Sequence, residues 1–247
     1  MLESKDKLIV ALDVDNLKEA ERFVDILYPT VKIFKVGSQL FTACGPEVVK
    51  MIGKKGAKVF LDLKFYDIPN TVFLSVGTGT GLNYEILPNI GKGVIDATQL
   101  AVFMMTVHTK GGIAMLKEAV RGAKQKAEEL KIAKPFVVGV TRLTSEENKG
   151  DIQSEVLEGA RLAKDDGLDG VVCSAQEAAL IRKEFGKDFI IVTPGIRPKG
   201  AAVDDQRRTA TASEAIAAGC NYLVVGRPII KAKDPLKTAE EILADIK

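Results

Sequence analysis

A carboxylate and an ammonium stand two residues apart inside the apolar run KVFLDLKF: Asp62 and Lys64, with Asp67 following in the loop YDIPNT. On a strand, residues i and i+2 face the same side, so near a strand end this pair projects together toward whatever opening lies there. A surface salt bridge is the plainer reading. The apolar flanks argue against it, because they place the charges where a solvated face is not expected, and buried charge requires partners. Lys35, at the end of IFKVGS (33–38), is a fitting partner for an alternating Lys and Asp network. Neighbouring carboxylates stabilise Lys64 as an ammonium, and the fixed negative charge can repel a substrate group. An ammonium beside developing carbanion charge is a general acid and electrostatic stabiliser. The chemistry indicated is proton transfer or decarboxylation.

A second constellation lies in TPGIRPKGAAVDDQRR (193–208) and VVGRP (224–228). Arg197 and Arg227 can each give a phosphate charge-assisted, bidentate hydrogen bonds, with backbone N–H groups of the same loops beside them. Ordinary turns carrying surface arginines are the alternative. The Gly- and Pro-rich stretch 194–205 is long enough for a mobile lid. His108, the only histidine, reads as a satisfied core or loop residue before it reads as a catalyst. No second histidine and no Cys or carboxylate cluster at ligand spacing accompanies it, so metal dependence is not expected. GTGTG (77–81) lacks the strand, helix and distant acidic residue of a dinucleotide-binding loop.

The elements that must hold these residues are legible as an alternation. Apolar runs at 8–14, 33–38, 58–65, 103–109, 135–141, 169–175, 188–196 and 222–230 are continuous, as parallel strands covered on both faces require. Between them lie helical patterns at 16–28, 46–56, 112–130, 154–167, 176–186, 213–219 and 234–246, several ending in Gly. Eight such strands alternating with helices in 247 residues predict an α/β fold, the closed eight-stranded parallel (β/α) barrel (TIM barrel), with a doubly wound sheet as the alternative. A barrel demands its working residues at the C-terminal ends of strands. Asp13, Lys35, Asp62, Lys64, His108, Thr141, Arg197 and Arg227 all fall there.

An apolar content of 46% over 247 residues is enough for one large domain, taken as 1–247. The 35 basic and 33 acidic residues are dispersed, which speaks against a nucleic-acid or membrane partner and leaves any anionic ligand to a local site. Cys44, Cys173 and Cys220 are odd in number and far apart, as in a reducing, cytoplasmic setting. No stretch approaches the roughly 20 apolar residues of a membrane span, so a soluble protein is expected.

The motif DLKFYDIPNT (62–71) stands among LIVALDVD (8–15), KVGSQLF (35–41), TVHTKGG (106–112), GVTRLTS (139–145), GLDGVVCSAQEA (167–178), VTPGIRPKGAAVDDQRR (192–208) and YLVVGRPI (222–229). In this order they resemble orotidine 5′-phosphate decarboxylase of the bacterial type over nearly the whole chain. The resemblance implies cofactor-free, metal-free decarboxylation of orotidine 5′-monophosphate to uridine 5′-monophosphate in de novo pyrimidine synthesis. It implies that Asp13 and Lys35 bind the ribose hydroxyls, that Asp62 sits against the substrate carboxylate, and that Lys64 delivers the proton to C6. Asp67 and Thr71 would reach into the neighbouring subunit's site in a homodimer with shared active sites. Thr144 would contact the pyrimidine, and Arg197, Gln206, Gly226 and Arg227 the phosphate and lid.

One segment departs from the resemblance. Joining Val72 to Lys92 restores the family's spacing, which marks 73–91, FLSVGTGTGLNYEILPNIG, as a 19-residue insertion with neither a clear helical nor a clear strand pattern. It begins six residues after Asp67 and so bears on the shared part of the site. Two rival readings follow: a metal-dependent sugar-phosphate decarboxylase or aldolase on the same barrel, and a nucleotide-binding barrel inactivated by the insertion.

Overall fold

The computed structural model describes residues 4–82, 102–143, 150–198 and 208–246. Eight parallel strands close on themselves in sequence order, from β1 (Leu8–Ala11) through β2 (Ile33–Gly37), β3 (Lys58–Phe65), β4 (Val102–His108), β5 (Phe136–Val140), β6 (Gly170–Val172) and β7 (Ile190–Thr193) to β8 (Tyr222–Val225), which pairs with β1. The helices around them are α1 (Leu17–Leu27), α2 (Ser38–Cys44), α3 (Glu47–Lys54), α4 (Pro69–Gly81), α5 (Gly112–Leu130), α6 (Ile152–Asp165), α7 (Ala175–Phe185), α8 (Ala212–Ala217), α9 (Arg227–Ile230) and α10 (Pro235–Asp245). The expected eightfold barrel is therefore present, and the doubly wound alternative is not.

Two hydrophobic cores hold it. The larger lies between strands and helices and includes Leu8, Val10, Phe34, Leu61 and Val107 with Phe23, Leu116 and Ile181 from the helices. The smaller fills the barrel's interior with alternate strand residues, among them Ile9, Ile33, Phe60, Met104, Val138, Val192 and Tyr222. This division explains the continuous apolar runs, since each strand has a core on both faces. At the end where the strands begin, Phe103 meets Phe136 and Tyr222 edge-on at 5.4 and 5.6 Å, with the Lys58 ammonium 5.1 Å from the Phe103 ring centre. Aromatic packing fills that end of the barrel, and the strand C-termini carry the polar residues.

Several boundaries differ from the sequence reading. The seventh strand stops at Thr193, where Pro194 and the positive φ of Gly195 (80°) turn the chain. The eighth stops at Val225, and Arg227–Ile230 is a short helix begun by Pro228. The largest difference is in 73–91: its first part, Phe73 to Gly81, continues helix α4. Glycine is a poor helix former, costing about 1 kcal/mol against alanine, and so local pattern hides this helix. Packing overrides propensity. A Cβ on Gly79 would lie 2.7 Å from Met105 Sδ and 3.4 Å from Leu61, so the bare glycine lets α4 settle onto the barrel wall. Residues 83–91 of the segment and KGVIDATQLA (92–101) fall outside the described residues.

Helices α4 and α5 also touch through glycine, for a Cβ on Gly122 would meet the Phe73 carbonyl oxygen at 2.3 Å. Gly→Ala inside a helix ordinarily stabilises by about 1 kcal/mol. Gly122→Ala is expected to do the reverse, costing about 1–3 kcal/mol through overpacking against backbone, as urea denaturation of the variant and parent would measure.

Candidate active site

Asp62 is the centre of the polar arrangement. Alternation along β3 turns Phe60 into the barrel's interior core and Asp62 after it to the strand's C-terminal end, where the carboxylate is buried with 8% of the residue exposed. Its Oδ2 lies 2.9 Å from Lys64 Nζ and 3.5 Å from Lys35 Nζ, while Oδ1 accepts from the Thr106 hydroxyl at 3.0 Å. Lys35, on β2, also donates to Asp13 Oδ1 at 3.2 Å. The order Asp13, Lys35, Asp62, Lys64 is thus a chain of alternating charge across β1, β2 and β3.

Two glycines give this chain room. A Cβ on Gly37 would lie 2.9 Å from Lys35 Nζ, and one on Gly226 would lie 3.0 Å from Asp13 Oδ2. Lys64 itself has φ 51°, a left-handed backbone that is uncommon for a side chain of this kind. The pairing of β3 with β4 shifts register between Leu61 and Phe65, and the Lys64 N–H donates to Thr106 Oγ1 at 2.8 Å. One buried threonine therefore holds both the Asp62 carboxylate and the kinked backbone that carries Lys64.

Burial alone would raise the Asp62 carboxyl, yet Lys35 and Lys64 outweigh it and hold its pKa below the ordinary carboxylate value. Burial alone would likewise lower Lys35, and Asp62 with Asp13 outweigh it, holding its pKa above the ordinary lysine value. Both groups stay charged between those limits.

These residues line one wall of a cavity of about 220 Å³ at the strand C-termini. The other wall comes from the later strands and includes Arg142, Cys173, Gly195, Arg197, Gly226 and Arg227. Arg197 is buried, and its Nη1 donates to the Ile196 carbonyl at 2.9 Å. Burial pushes the Cys173 thiol far above its usual range, so it is an inert part of the wall.

A family model described as Orotidine 5′-phosphate decarboxylase / HUMPS family matches residues 6–242. The chain belongs to this family. Among relatives named orotidine 5′-phosphate decarboxylase, that of Moorella thermoacetica is 42% identical, with 99% of this chain and 94% of the relative aligned. That of Vibrio cholerae is 44% identical, with 96% of each covered. A solved structure titled orotidine 5′-phosphate decarboxylase from Lactobacillus acidophilus superposes with a TM-score of 0.80 at 33% identity, covering 98% of this chain and 99% of that one.

Of the residues expected from the family's motifs, Asp13, Lys35, Asp62, Lys64, Arg197, Gly226 and Arg227 converge on the one cavity. Asp67 does not: it is exposed, and its Oδ1 accepts from the Ile68 N–H at 2.6 Å where α4 begins. Thr71 lies in the first turn of α4, also away from the cavity lining. Thr144, Gln206 and residues 199–205 of the expected lid fall outside the described residues. His108 ends β4, its Nδ1 accepting from the Lys110 N–H at 3.3 Å. Thr141 lies one residue past the end of β5, and its hydroxyl donates to the Val172 carbonyl at 3.1 Å. Sequence reasoning missed Thr106 and Arg142. Thr106 left a signal as the one hydroxyl within the apolar strand Val102–His108. Arg142 left one as a charge directly after β5 and on the cavity.

Lys35→Met would strand the buried Asp62 charge beside a single ammonium. A loss of about 3–5 kcal/mol is expected at pH 7, as for other broken buried pairs. Asp62's contribution exists above its unfolded value near 3.8 and disappears as pH falls through its lower folded value. The difference between variant and parent should therefore shrink at the acid end. Urea unfolding at pH 7 and near pH 3 measures it.

Proposed function

We propose that this chain decarboxylates orotidine 5′-monophosphate to uridine 5′-monophosphate, the closing step of de novo pyrimidine synthesis. The observation that carries this reading is a buried Asp62 held between two lysines on a cavity whose far wall is rich in arginine. Full-length relatives bearing the decarboxylase name favour it over the sugar-phosphate alternative.

In this reading the substrate lies across the cavity. Its phosphate meets Arg197, Arg227 and the backbone at Gly226, with Gln206 closing over it, while Thr144 touches the pyrimidine and Asp13 and Lys35 take the ribose hydroxyls. The carboxylate on C6 then faces Asp62, and that repulsion is relieved when the C6–CO₂ bond breaks and carbon dioxide leaves. The electron pair remaining on C6 takes a proton from Lys64 Nζ, which solvent later restores. Attraction at the phosphate offsets repulsion at the carboxylate, which is how groups remote from the reacting carbon raise kcat. The chain's own ammonium supplies the proton, so no metal or cofactor enters.

The same reading makes the protein a cytoplasmic homodimer in which Asp67 and Thr71 complete the partner's site. Their position outside the cavity supports this, as does the exposure of Tyr66 (63%) and Ile68 (67%) on either side of Asp67. The free thiols of Cys44, Cys173 and Cys220 support a reducing compartment. Among the described residues no helix is long and apolar enough to cross a membrane. We read 1–247 as one barrel domain; Phe73–Gly81 of the atypical segment belongs to helix α4, and extra chain length in a connection is tolerated because loop-closure entropy grows slowly with length.

Loss of the orotidine 5′-monophosphate absorbance tests the activity. The intact chain should turn over in excess chelator, and Lys64→Ala should lose at least about 10²-fold in kcat, the scale of a positioned general acid. A chain that is inert until 83–91, the part of the segment beyond α4, is deleted would sink the assignment of activity to the intact protein. Shared sites make a separate demand: inactive Asp67→Ala and Lys64→Ala chains, mixed at concentrations where dimers form, should regain part of the activity.

A further inference from the structure

The connection between β7 and α8 passes Pro194, Gly195 and Arg197 along the cavity and returns at Arg208. Its two ends are tied together, since the Arg197 N–H donates to the Ala210 carbonyl at 2.9 Å and the Ala210 N–H to the Gly195 carbonyl at 3.3 Å. The returning end has a second tie, on a different element. Arg208 is buried at 7% exposure and pairs through Nη2 with Glu177 in the first turn of α7, which is buried at 3%. Its Nε donates to Gln176 Oε1 at 3.2 Å. Helix α7 starts immediately behind the cavity wall, capped by Ser174, with Cys173 lining the cavity one residue earlier.

Stability alone is a poor explanation for this pair. Burying two charges costs several kcal/mol in desolvation, and well-packed apolar residues in their place are often as stable or more so. Burial pushes the Arg208 guanidinium down, and nearby Arg142 adds to that push. What the pair supplies is a fixed position. Arg208 is two residues from Ala210, and Ala210 holds the backbone of both Gly195 and Arg197.

We propose that Glu177 is a positioning residue for the phosphate end of the substrate: by pinning Arg208 to α7 it fixes Ala210, and through it the places of Gly195 and Arg197 at the cavity. This inference rests on the phosphate reading given above. It predicts a selective defect. Misplacing a binding group by about 1 Å costs up to about 10²-fold, and the loss should fall on substrates that carry the phosphate and spare those that lack it.

The test compares Glu177→Gln with the parent, as full-length chains, on orotidine 5′-monophosphate and on orotidine, the nucleoside without phosphate. The expected result is a fall of roughly 10- to 100-fold in kcat/KM for the nucleotide, with kcat/KM for orotidine unchanged. Should Glu177→Gln fail to fold, the double variant Glu177→Gln with Arg208→Gln leaves no uncompensated charge and is expected to fold with the same split. Equal losses on both substrates, or no loss on either, would overturn the positioning role. A parent chain that handles nucleotide and nucleoside alike would instead overturn the phosphate reading, and this inference with it.

Discussion

Asp62 is a carboxylate withdrawn from water at the end of a barrel strand, and much of the structure answers to the cost of keeping it charged. An ionised group in that position is tolerable only if partners with fixed geometry replace the lost hydration. Lys64, Lys35 and Thr106 are those partners, and they come from three adjacent strands, β2, β3 and β4. Parallel pairing fixes their relative heights, and the glycines at 37 and 226 keep the space into which Lys35 and Asp13 reach. The interior core beneath, with its aromatic cluster at the far end, gives the charged layer a firm floor.

The cavity is divided by charge. Alternating lysines and aspartates occupy the side built from β1 to β3, and Arg142, Arg197 and Arg227 the side built from the later strands. The division assigns two tasks to two groups of loops. In the proposed reading, rigid strand positions hold the groups that meet the reacting carbon, and longer connections hold those that grip a distant anion. Barrels permit this because the scaffold does not depend on the loops that carry the site.

The strand order and the charged chain were legible in the sequence because both are local: apolar runs reveal strands covered on two faces, and a charge inside such a run must face something. Thr106 was harder to see, since its role lies in contacts with β3 some forty residues earlier. The left-handed backbone of Lys64 left no trace, because a lysine normally signals the opposite. Helix α4 was hidden by glycines whose purpose is tertiary, the close approach to Met105 and to α5. The link from Glu177 to Arg208 joins residues 31 positions apart, and each alone reads as a surface charge. Asp67 and Thr71 were readable by resemblance alone, since nothing in the chain's own cavity calls for them.

The left-handed conformation of Lys64 sets fold and chemistry against each other at one position. A side chain there costs on the order of 1 kcal/mol that glycine would not. Backbone strain alone would favour glycine at position 64, but the ion pair at 2.9 Å opposes it, since losing the ammonium leaves the buried Asp62 carboxylate beside a single lysine. A chain that dispensed with this ammonium would have to dispense with the Asp62 charge as well, so the two positions are bound to change together.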